Sequence, residues 1–278
     1  MKPFLLLALG LSLVAVGPLR ADSGATAPIT IMRLTNGERF GLIGGQAGHP
    51  APTLFVLASG LEGMQREPGF SEVGRLLLPH GFVSVIIDPP AHGADVRPGE
   101  PKELNAWRTR IEKGEDVIGG FTARASRVLD YLIKEGYADP RRVAACGTSR
   151  GGFLAMHLMA ADPRIRIAGG ISPLADPMAL TEFQGTTASA AASALALRNL
   201  GPKLAGRPIW VSIGNHDTRV NTETIIAFTR AVVDASAKPG QDKAVIPVTL
   251  VVAPTAGHTK IPHAHHLLAA WILEQFGM

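Results

Sequence analysis

The chain has 278 residues, of which 46% are hydrophobic, 18% charged and 5% aromatic, and its formal net charge is +4. This apolar content is enough for a packed core and excludes an intrinsically disordered chain. The single cysteine, Cys146, excludes an intrachain disulfide and argues against a cysteine-based metal cluster. Lysine and arginine are scattered rather than grouped, so the composition predicts a globular protein with no nucleic-acid partner.

The first segment, residues 1–21, is typical of a secretory signal peptide. Lys2 supplies a short positive region, and an apolar run follows it at residues 4–17. That run is shorter than the roughly 20 residues that a membrane-spanning helix needs. Cleavage after Ala21 and cleavage after Ala25 both fit the pattern. We therefore expect an exported protein, periplasmic or extracellular, with no stable membrane insertion after cleavage; an uncleaved membrane anchor is the alternative.

After the signal segment, short β-rich runs alternate with longer amphipathic segments. The first two strands are expected at residues 29–34 and 39–43, joined by the turn dipeptide Asn36-Gly37. Further strands are expected at residues 53–58, 82–88, 142–146, 165–171, 208–213 and 247–252. Helices are expected at residues 70–78, 117–134, 151–161, 221–235 and 262–276. Strands that are apolar throughout are typical of a parallel sheet covered on both faces, so the pattern predicts one α/β domain over residues 28–278 with a mostly parallel sheet.

Two long connections interrupt this alternation. Residues 89–116 are polar and rich in proline, and residues 172–207 contain an alanine-rich run that predicts a helical insertion. Long insertions at one end of a sheet usually form walls or lids of a functional site. We expect residues 172–207 to form a small helical cap, with a solvated excursion of no function as the alternative for each segment.

The strongest local motif is the run Gly147-Thr148-Ser149-Arg150-Gly151, which stands between a predicted strand and a predicted helix. This is the context of a nucleophile elbow, in which flanking glycines avoid collisions in a tight turn. Ser149 would project its hydroxyl at the carboxyl edge of the sheet, beside the free N–H groups at the start of the next helix. A glycine-rich turn without chemistry is the alternative.

A serine nucleophile needs a base, and the base needs an acid to orient it. After an elbow of this kind the order is serine, acid, histidine. Asp217 and His258 each follow one of the last two predicted strands, so their side chains are expected to meet Ser149 at one sheet edge. Asp176, which follows the preceding strand, is an alternative acid. The histidines at residues 263–266 have no carboxylate at ligand spacing, so no metal and no cofactor are predicted.

An oxyanion hole needs two donors, and the backbone N–H of Arg150, directly after the nucleophile, is expected to be one. The second is expected from Leu61, which follows the strand at residues 53–58, with a plain turn as the alternative. Candidate substrate-binding side chains are Glu62, His92, Trp107 and Arg108. An arginine would suit a substrate carboxylate and Glu62 a cationic or hydroxylated substrate, whereas Trp107 either lines the pocket or packs in the core.

The chain resembles the α/β-hydrolase superfamily, especially its dienelactone-hydrolase-like and prolyl-oligopeptidase-like branches. The resemblance rests on residues 147–152, on Asp217 in Gly-Asn-His-Asp and on His258 in Ala-Gly-His. Residues 88–93 also resemble the superfamily's Asp-x-x-Gly-x-Gly turn, with Ala91 in place of the first glycine. Covering roughly residues 50–278, the resemblance implies an eight-stranded sheet, a cap over the site and hydrolysis through an acyl-enzyme. Ser59 stands where the superfamily often has histidine, and the nucleophile is serine rather than the cysteine of dienelactone hydrolases.

These features favour a secreted serine hydrolase that cleaves small carboxylic esters. A small peptidase or amidase would use the same three side chains and differ only in its pocket. A non-catalytic binding module is the third hypothesis, although all three candidate residues are present.

Overall fold

A computed structural model describes residues 27–237 and 245–278, so the predicted signal segment and its cleavage sites lie outside the described residues. The strands are β1 (Thr30–Arg33), β2 (Arg39–Ile43), β3 (Ala51–Leu57), β4 (Val83–Ile86), β5 (Ala138–Thr148), β6 (Ile165–Ile171), β7 (Ile209–Gly214) and β8 (Val248–Ala253). They form one eight-stranded sheet in the order β1-β2-β4-β3-β5-β6-β7-β8. β2 is antiparallel to β1 and β4, and the pairs from β4 through to β8 are parallel, which confirms the predicted α/β architecture.

Helices cover both faces of the sheet. They are α1 (Leu61–Arg66), α2 (Glu72–Leu77), α3 (Glu103–Glu112), α4 (Val117–Lys134), α5 (Arg150–Ala161), α6 (Ser189–Ala194), α7 (Gly201–Leu204), α8 (Thr222–Ser236) and α9 (Ala264–Gln275). Successive side chains of a strand point to opposite faces. In β3, Phe55 and Leu57 therefore pack in the core beneath α3, α4, α5 and α8, whereas Leu54 and Val56 pack in the core beneath α1, α2 and α9.

The helix at residues 117–134 has the predicted bounds because its ends are marked in the sequence. The Asp116 carboxylate caps the first turn by accepting the N–H of Gly119 at 2.8 Å. Apolar residues recur on one face of the helix, and Gly136, with φ of 73°, ends it in the left-handed conformation. Two helices were not predicted: α1, which follows β3, and α3, which lies within the long polar connection at residues 89–116.

The segment at residues 172–207 folds into short helical turns, α6 and α7. It packs along α3, α5 and α8 on one face of the sheet. His157 of α5 donates from Nε2 to the carbonyl of Leu195 at 2.9 Å, which fastens the segment to the core. Burial lowers the pKa of His157 to about 4, so this histidine is neutral at neutral pH.

Cys146 lies in the central strand β5, three residues before Ser149 in the printed sequence. It is 1% exposed, and burial raises the pKa of its thiol. None of the helices within the described ranges has the length and hydrophobicity needed to cross a lipid bilayer.

Candidate active site

Ser149 occupies the turn between β5 and α5. Its backbone has φ of 53° and ψ of −120°, a conformation that costs a non-glycine residue of order 1–3 kcal/mol. Glycine is required on both sides of it. A Cβ at position 147 would lie 2.3 Å from the carbonyl oxygen of Leu57 on β3, and one at position 151 would lie 1.7 Å from that oxygen. The elbow therefore presses against the neighbouring strand and presents Ser149 at the carboxyl edge of the sheet.

The three side chains singled out in the sequence form one hydrogen-bonded series. His258 Nδ1 lies 2.7 Å from Asp217 Oδ2, and His258 Nε2 lies 3.2 Å from Ser149 Oγ. Because an ionised carboxylate only accepts, Nδ1–H donates to Asp217 and Nε2 is left to accept the Ser149 hydroxyl proton. This is the arrangement that activates a serine hydroxyl as a nucleophile.

The Asp217 carboxylate is held in place by backbone hydrogen bonds in addition to the one from His258. It is 2% exposed, and its Oδ1 accepts the backbone N–H groups of Arg219 at 3.0 Å and Val220 at 3.1 Å. Asp176, the alternative acid, is held elsewhere: it accepts the N–H of Met178 and a guanidinium N–H of Arg198. The structure thus brings Asp217, and not Asp176, to the histidine.

A cavity of about 440 Å³ opens beside Ser149. Its lining residues include the apolar side chains of Phe70, Ile171 and Ile261, and four ionisable side chains besides Arg150 and His258. Those four are Glu67, Glu72, Lys260 and His265. The sequence analysis did not assign these four residues to the site, because the packing of α2 against α9 brings their segments together.

The helical turns of the expected cap do not contribute to the lining. Of the cavity's lining residues, only Ser172 belongs to the segment at residues 172–207. The helical turns of that segment lie against α3, α5 and α8, because their apolar residues, such as Leu197 and Leu204, are buried there. The insertion therefore extends the core rather than closing over Ser149.

The prediction that Leu61 supplies an oxyanion donor is wrong. Its backbone N–H donates to Asp88 Oδ1 at 2.8 Å and is already occupied. The N–H of Arg150 fits its predicted place, because it belongs to the first residue of α5, where helix N–H groups have no partner within the helix.

Three of the predicted substrate-binding residues have structural partners instead. Glu62 forms a two-point ion pair with Arg39, with N–O distances of 2.5 and 2.9 Å. Trp107 is 1% exposed, and its indole N–H donates to the Pro90 carbonyl at 2.6 Å, so it belongs to the core. Arg108 pairs with Glu112 and donates to backbone carbonyls of the segment at residues 172–207. None of the three lines the cavity.

His92 is also outside the cavity lining. It is 6% exposed, and its Nδ1 donates to the Pro90 carbonyl at 2.8 Å. Burial and the nearby charge of Arg150 lower its pKa, which favours the neutral imidazole. The predicted contact with substrate is not supported, because Nε2 faces Glu103, at 3.9 Å, rather than the nucleophile.

The side chain of Arg150 has a role that sequence reasoning missed. Its Nε donates to the Ala58 carbonyl at 3.1 Å, and its Nη1 pairs with Glu103 at 2.9 Å. Arg150 therefore fastens the chain that leaves β3 to the residue after the nucleophile. Among the described residues, no group of three histidine, cysteine or acidic side chains is arranged to hold a metal ion.

The sequence model of the prolyl oligopeptidase family matches residues 125–278, which is more than half of the chain and includes Ser149, Asp217 and His258. A search of curated protein sequences finds no significant match.

Several solved structures are similar to this chain over most of its length. Dipeptidyl peptidase 4 of Porphyromonas gingivalis has a TM-score of 0.65 and 16% identity, over 90% of this chain and 35% of that one. TT1662 of Thermus thermophilus has a TM-score of 0.64 and 21% identity, over 90% of this chain and 98% of that one. Acetyl xylan esterase 1 of Thermoanaerobacterium sp. has a TM-score of 0.62 and 16% identity, over 90% and 88%.

The chain thus spans about a third of the length of the dipeptidyl peptidase but nearly all of TT1662. At sequence identities of 16–21%, the similarity to solved structures establishes the fold alone. The family match establishes the relationship of the chain and its class of chemistry. The chain belongs to the prolyl oligopeptidase family and is a serine hydrolase with the α/β-hydrolase fold.

Proposed function

We propose that this serine hydrolase cleaves carboxylic esters through an acyl-enzyme formed on Ser149. His258 acts as the general base and Asp217 orients it. One observation carries the proposal: Asp217, His258 and Ser149 are joined in series at 2.7 and 3.2 Å beside an open cavity. These distances lie within or at the edge of hydrogen-bond reach for a nucleophile and its base.

The reaction proceeds in two halves. Ser149 Oγ attacks the ester carbonyl carbon while its proton passes to His258 Nε2, and the resulting imidazolium is stabilised by Asp217. The tetrahedral intermediate then collapses, and His258 returns the proton to the departing alkoxide. In the second half, His258 takes a proton from water as the water attacks the acyl-enzyme carbonyl. The second tetrahedral intermediate collapses to the carboxylic acid, and His258 returns the proton to Ser149 Oγ.

The negative oxygen of each tetrahedral intermediate needs two donors. The N–H of Arg150 is one. We assign the other to the N–H of Ser59, since it directly follows Ala58, which lines the cavity beside Ser149. Arg150 Nε holds the Ala58 carbonyl and so fixes the plane of the peptide that carries this N–H.

Ester hydrolysis is the first candidate because the solved structures that share this fold include acetyl xylan esterase 1 and a cold-adapted esterase. A peptidase or amidase is the second candidate, because the family is named for peptidases and the same three side chains would serve both reactions. In either case the partner is a small molecule that fits a cavity of about 440 Å³.

Labelling with a fluorophosphonate tests the activated serine. We expect the wild-type protein to be labelled and Ser149→Ala to be unlabelled, because only Ser149 is bonded to a histidine in this site. Ser172→Ala is the matched control, since Ser172 lines the same cavity without that bond, and it should still be labelled. Labelling that survives in Ser149→Ala would contradict the assignment of the nucleophile.

The same preparations then separate the two candidate reactions. We expect kcat/KM to be larger for a short-chain aryl ester than for the aryl amide with the same acyl group. The ratio of the two kcat/KM values should exceed the ratio of the uncatalysed hydrolysis rates of the two compounds. A ratio below that of the uncatalysed rates would favour the peptidase.

We also propose that the protein is exported and soluble after removal of its signal segment. The supporting pattern is the positive, apolar and small-residue sequence at residues 1–25. Expression with the full N-terminus should give protein outside the cytoplasm whose first residue is Asp22 or Thr26. Retention of Met1 on a membrane-bound product would instead indicate an anchor.

A further inference from the structure

Asp88 is a buried carboxylate that accepts three hydrogen bonds. It follows β4 and is 3% exposed. Its Oδ1 accepts the N–H of Leu61 at 2.8 Å, and its Oδ2 accepts the N–H of Ala94 at 3.1 Å and Arg39 Nε at 2.8 Å. A buried carboxylate with this many donors is held in one position, and it holds its donors in return.

These bonds join two segments that meet at the carboxyl edge of the sheet. Leu61 belongs to the segment after β3, and Ala94 belongs to the segment after β4. The segments approach too closely for side chains: a Cβ at Gly93 would lie 2.2 Å from Asp88 Oδ1, and one at Gly60 would lie 3.0 Å from the Gly93 nitrogen. Asp88 therefore fills the crossing point of the two segments.

The segment after β3 is held at both of its ends. Arg150 Nε binds the Ala58 carbonyl at one end, and Asp88 binds the Leu61 N–H at the other. Between these two points lie only Ser59 and Gly60. Ala58, where the first attachment lies, lines the cavity beside Ser149, so the short span begins at the site.

We propose that Asp88 is a positioning residue for hydrolysis. It holds the segment at residues 58–61 in place, so that the backbone N–H of Ser59 can donate to the developing oxyanion. This rests on the acyl-enzyme mechanism proposed above. Asp88 itself does not touch the substrate. The proposal explains why the Leu61 N–H is occupied: this N–H serves as the anchor of the segment.

The test compares Asp88→Asn with the matched control Glu62→Gln. Asparagine keeps one acceptor oxygen, so its amide group must face either the Leu61 N–H or the two donors on Oδ2. Glu62 is the other carboxylate bound to Arg39, and its side chain is 51% exposed, so Glu62→Gln removes a charge nearby and leaves the three bonds of Asp88. A third variant, Arg39→Gln, removes only one of those bonds and serves if Asp88→Asn does not fold.

We expect Asp88→Asn to lower kcat about 10- to 100-fold, less than the loss of a whole oxyanion donor, with KM within about threefold of wild type. The affinity for a boronic acid, which forms a tetrahedral adduct on the serine, should fall in parallel. Arg39→Gln should show a smaller loss of the same kind, and Glu62→Gln should stay within about twofold. Rates are expressed per site titrated with fluorophosphonate, so that unfolded protein does not count.

Two results would overturn the positioning role while leaving the proposed function intact. One is a folded Asp88→Asn or Arg39→Gln variant with wild-type kcat and boronate affinity. The other is an equal loss in Glu62→Gln, which would assign the effect to local charge. Failure of the wild-type protein to hydrolyse esters or bind the boronate would overturn the proposed function instead.

Discussion

Replacing Asp217 by asparagine is expected to lower kcat for an ester substrate by about 10⁴-fold. The Asp217 carboxylate accepts from His258 Nδ1 at 2.7 Å, which leaves Nε2 free to take the Ser149 proton. An asparagine can present an N–H to Nδ1, and the proton of the imidazole then moves to Nε2, where it blocks the base. The asparagine oxygen can still accept the backbone N–H groups of Arg219 and Val220, so the fold should be kept.

Asp176→Asn is the matched control for this experiment. Asp176 is also a buried acid at the carboxyl edge of the sheet, but its partners are Met178 and Arg198. Steady-state kinetics of the two variants and wild type, with circular dichroism to verify folding, should show a large loss only for Asp217. A comparable loss in Asp176→Asn, with Asp217→Asn near wild type, would mean that the acid has been misassigned.

Gly151→Ala is expected to destabilise the protein by about 3 kcal/mol or more and to remove its activity. The new Cβ would lie 1.7 Å from the Leu57 carbonyl oxygen and 2.3 Å from its carbon. Those atoms belong to the backbone of a central strand, so they cannot move aside as a side chain would. The elbow must shift to relieve the contact, and Ser149 shifts with it.

Gly120→Ala, the same substitution in another place, is expected to stabilise the protein rather than destabilise it. Gly120 lies on the exposed face of α4, and no atom beyond its chain neighbours and the backbone of its own helix lies within 4 Å of the position its Cβ would take. Alanine should stabilise the helix by up to about 1 kcal/mol relative to glycine. Urea unfolding measures both changes. A Gly151→Ala protein as stable and active as wild type would contradict the close packing of the elbow against β3.

Much of the fold could be predicted because its strands are marked locally. Runs such as the one at β3 are apolar on both faces, and turn residues separate them from the helices. α3 escaped prediction because it lies in a segment that is polar overall. Its apolar residues Leu104, Trp107 and Ile111 do follow helical spacing, and that spacing is the signal that could have revealed both the helix and the burial of Trp107.

The same distinction holds for the site: residues placed by the ends of the strands could be predicted, and contacts with residues distant in the sequence could not. Ser149, Asp217 and His258 could be placed together because each follows a strand of one parallel sheet, and such strands end at one edge. The error at Leu61 arose from a partner 27 residues away in sequence. Likewise, Glu62 pairs with Arg39 on β2. The sequence around either residue gives no sign of this ion pair. Contacts of this kind depend on which strands become neighbours, so the sequence pattern alone does not contain them.

The burial of Cys146 keeps the chain's single thiol from exchanging disulfides with its surroundings. Its thiol is enclosed in the central strand, and burial raises its pKa, so little of the reactive thiolate forms. Disulfide-exchanging proteins therefore have no accessible thiol to act on while the chain is folded. Since it is the chain's single cysteine, a cysteine introduced on the surface would be the one accessible thiol, and a probe could be attached there without first removing the native residue.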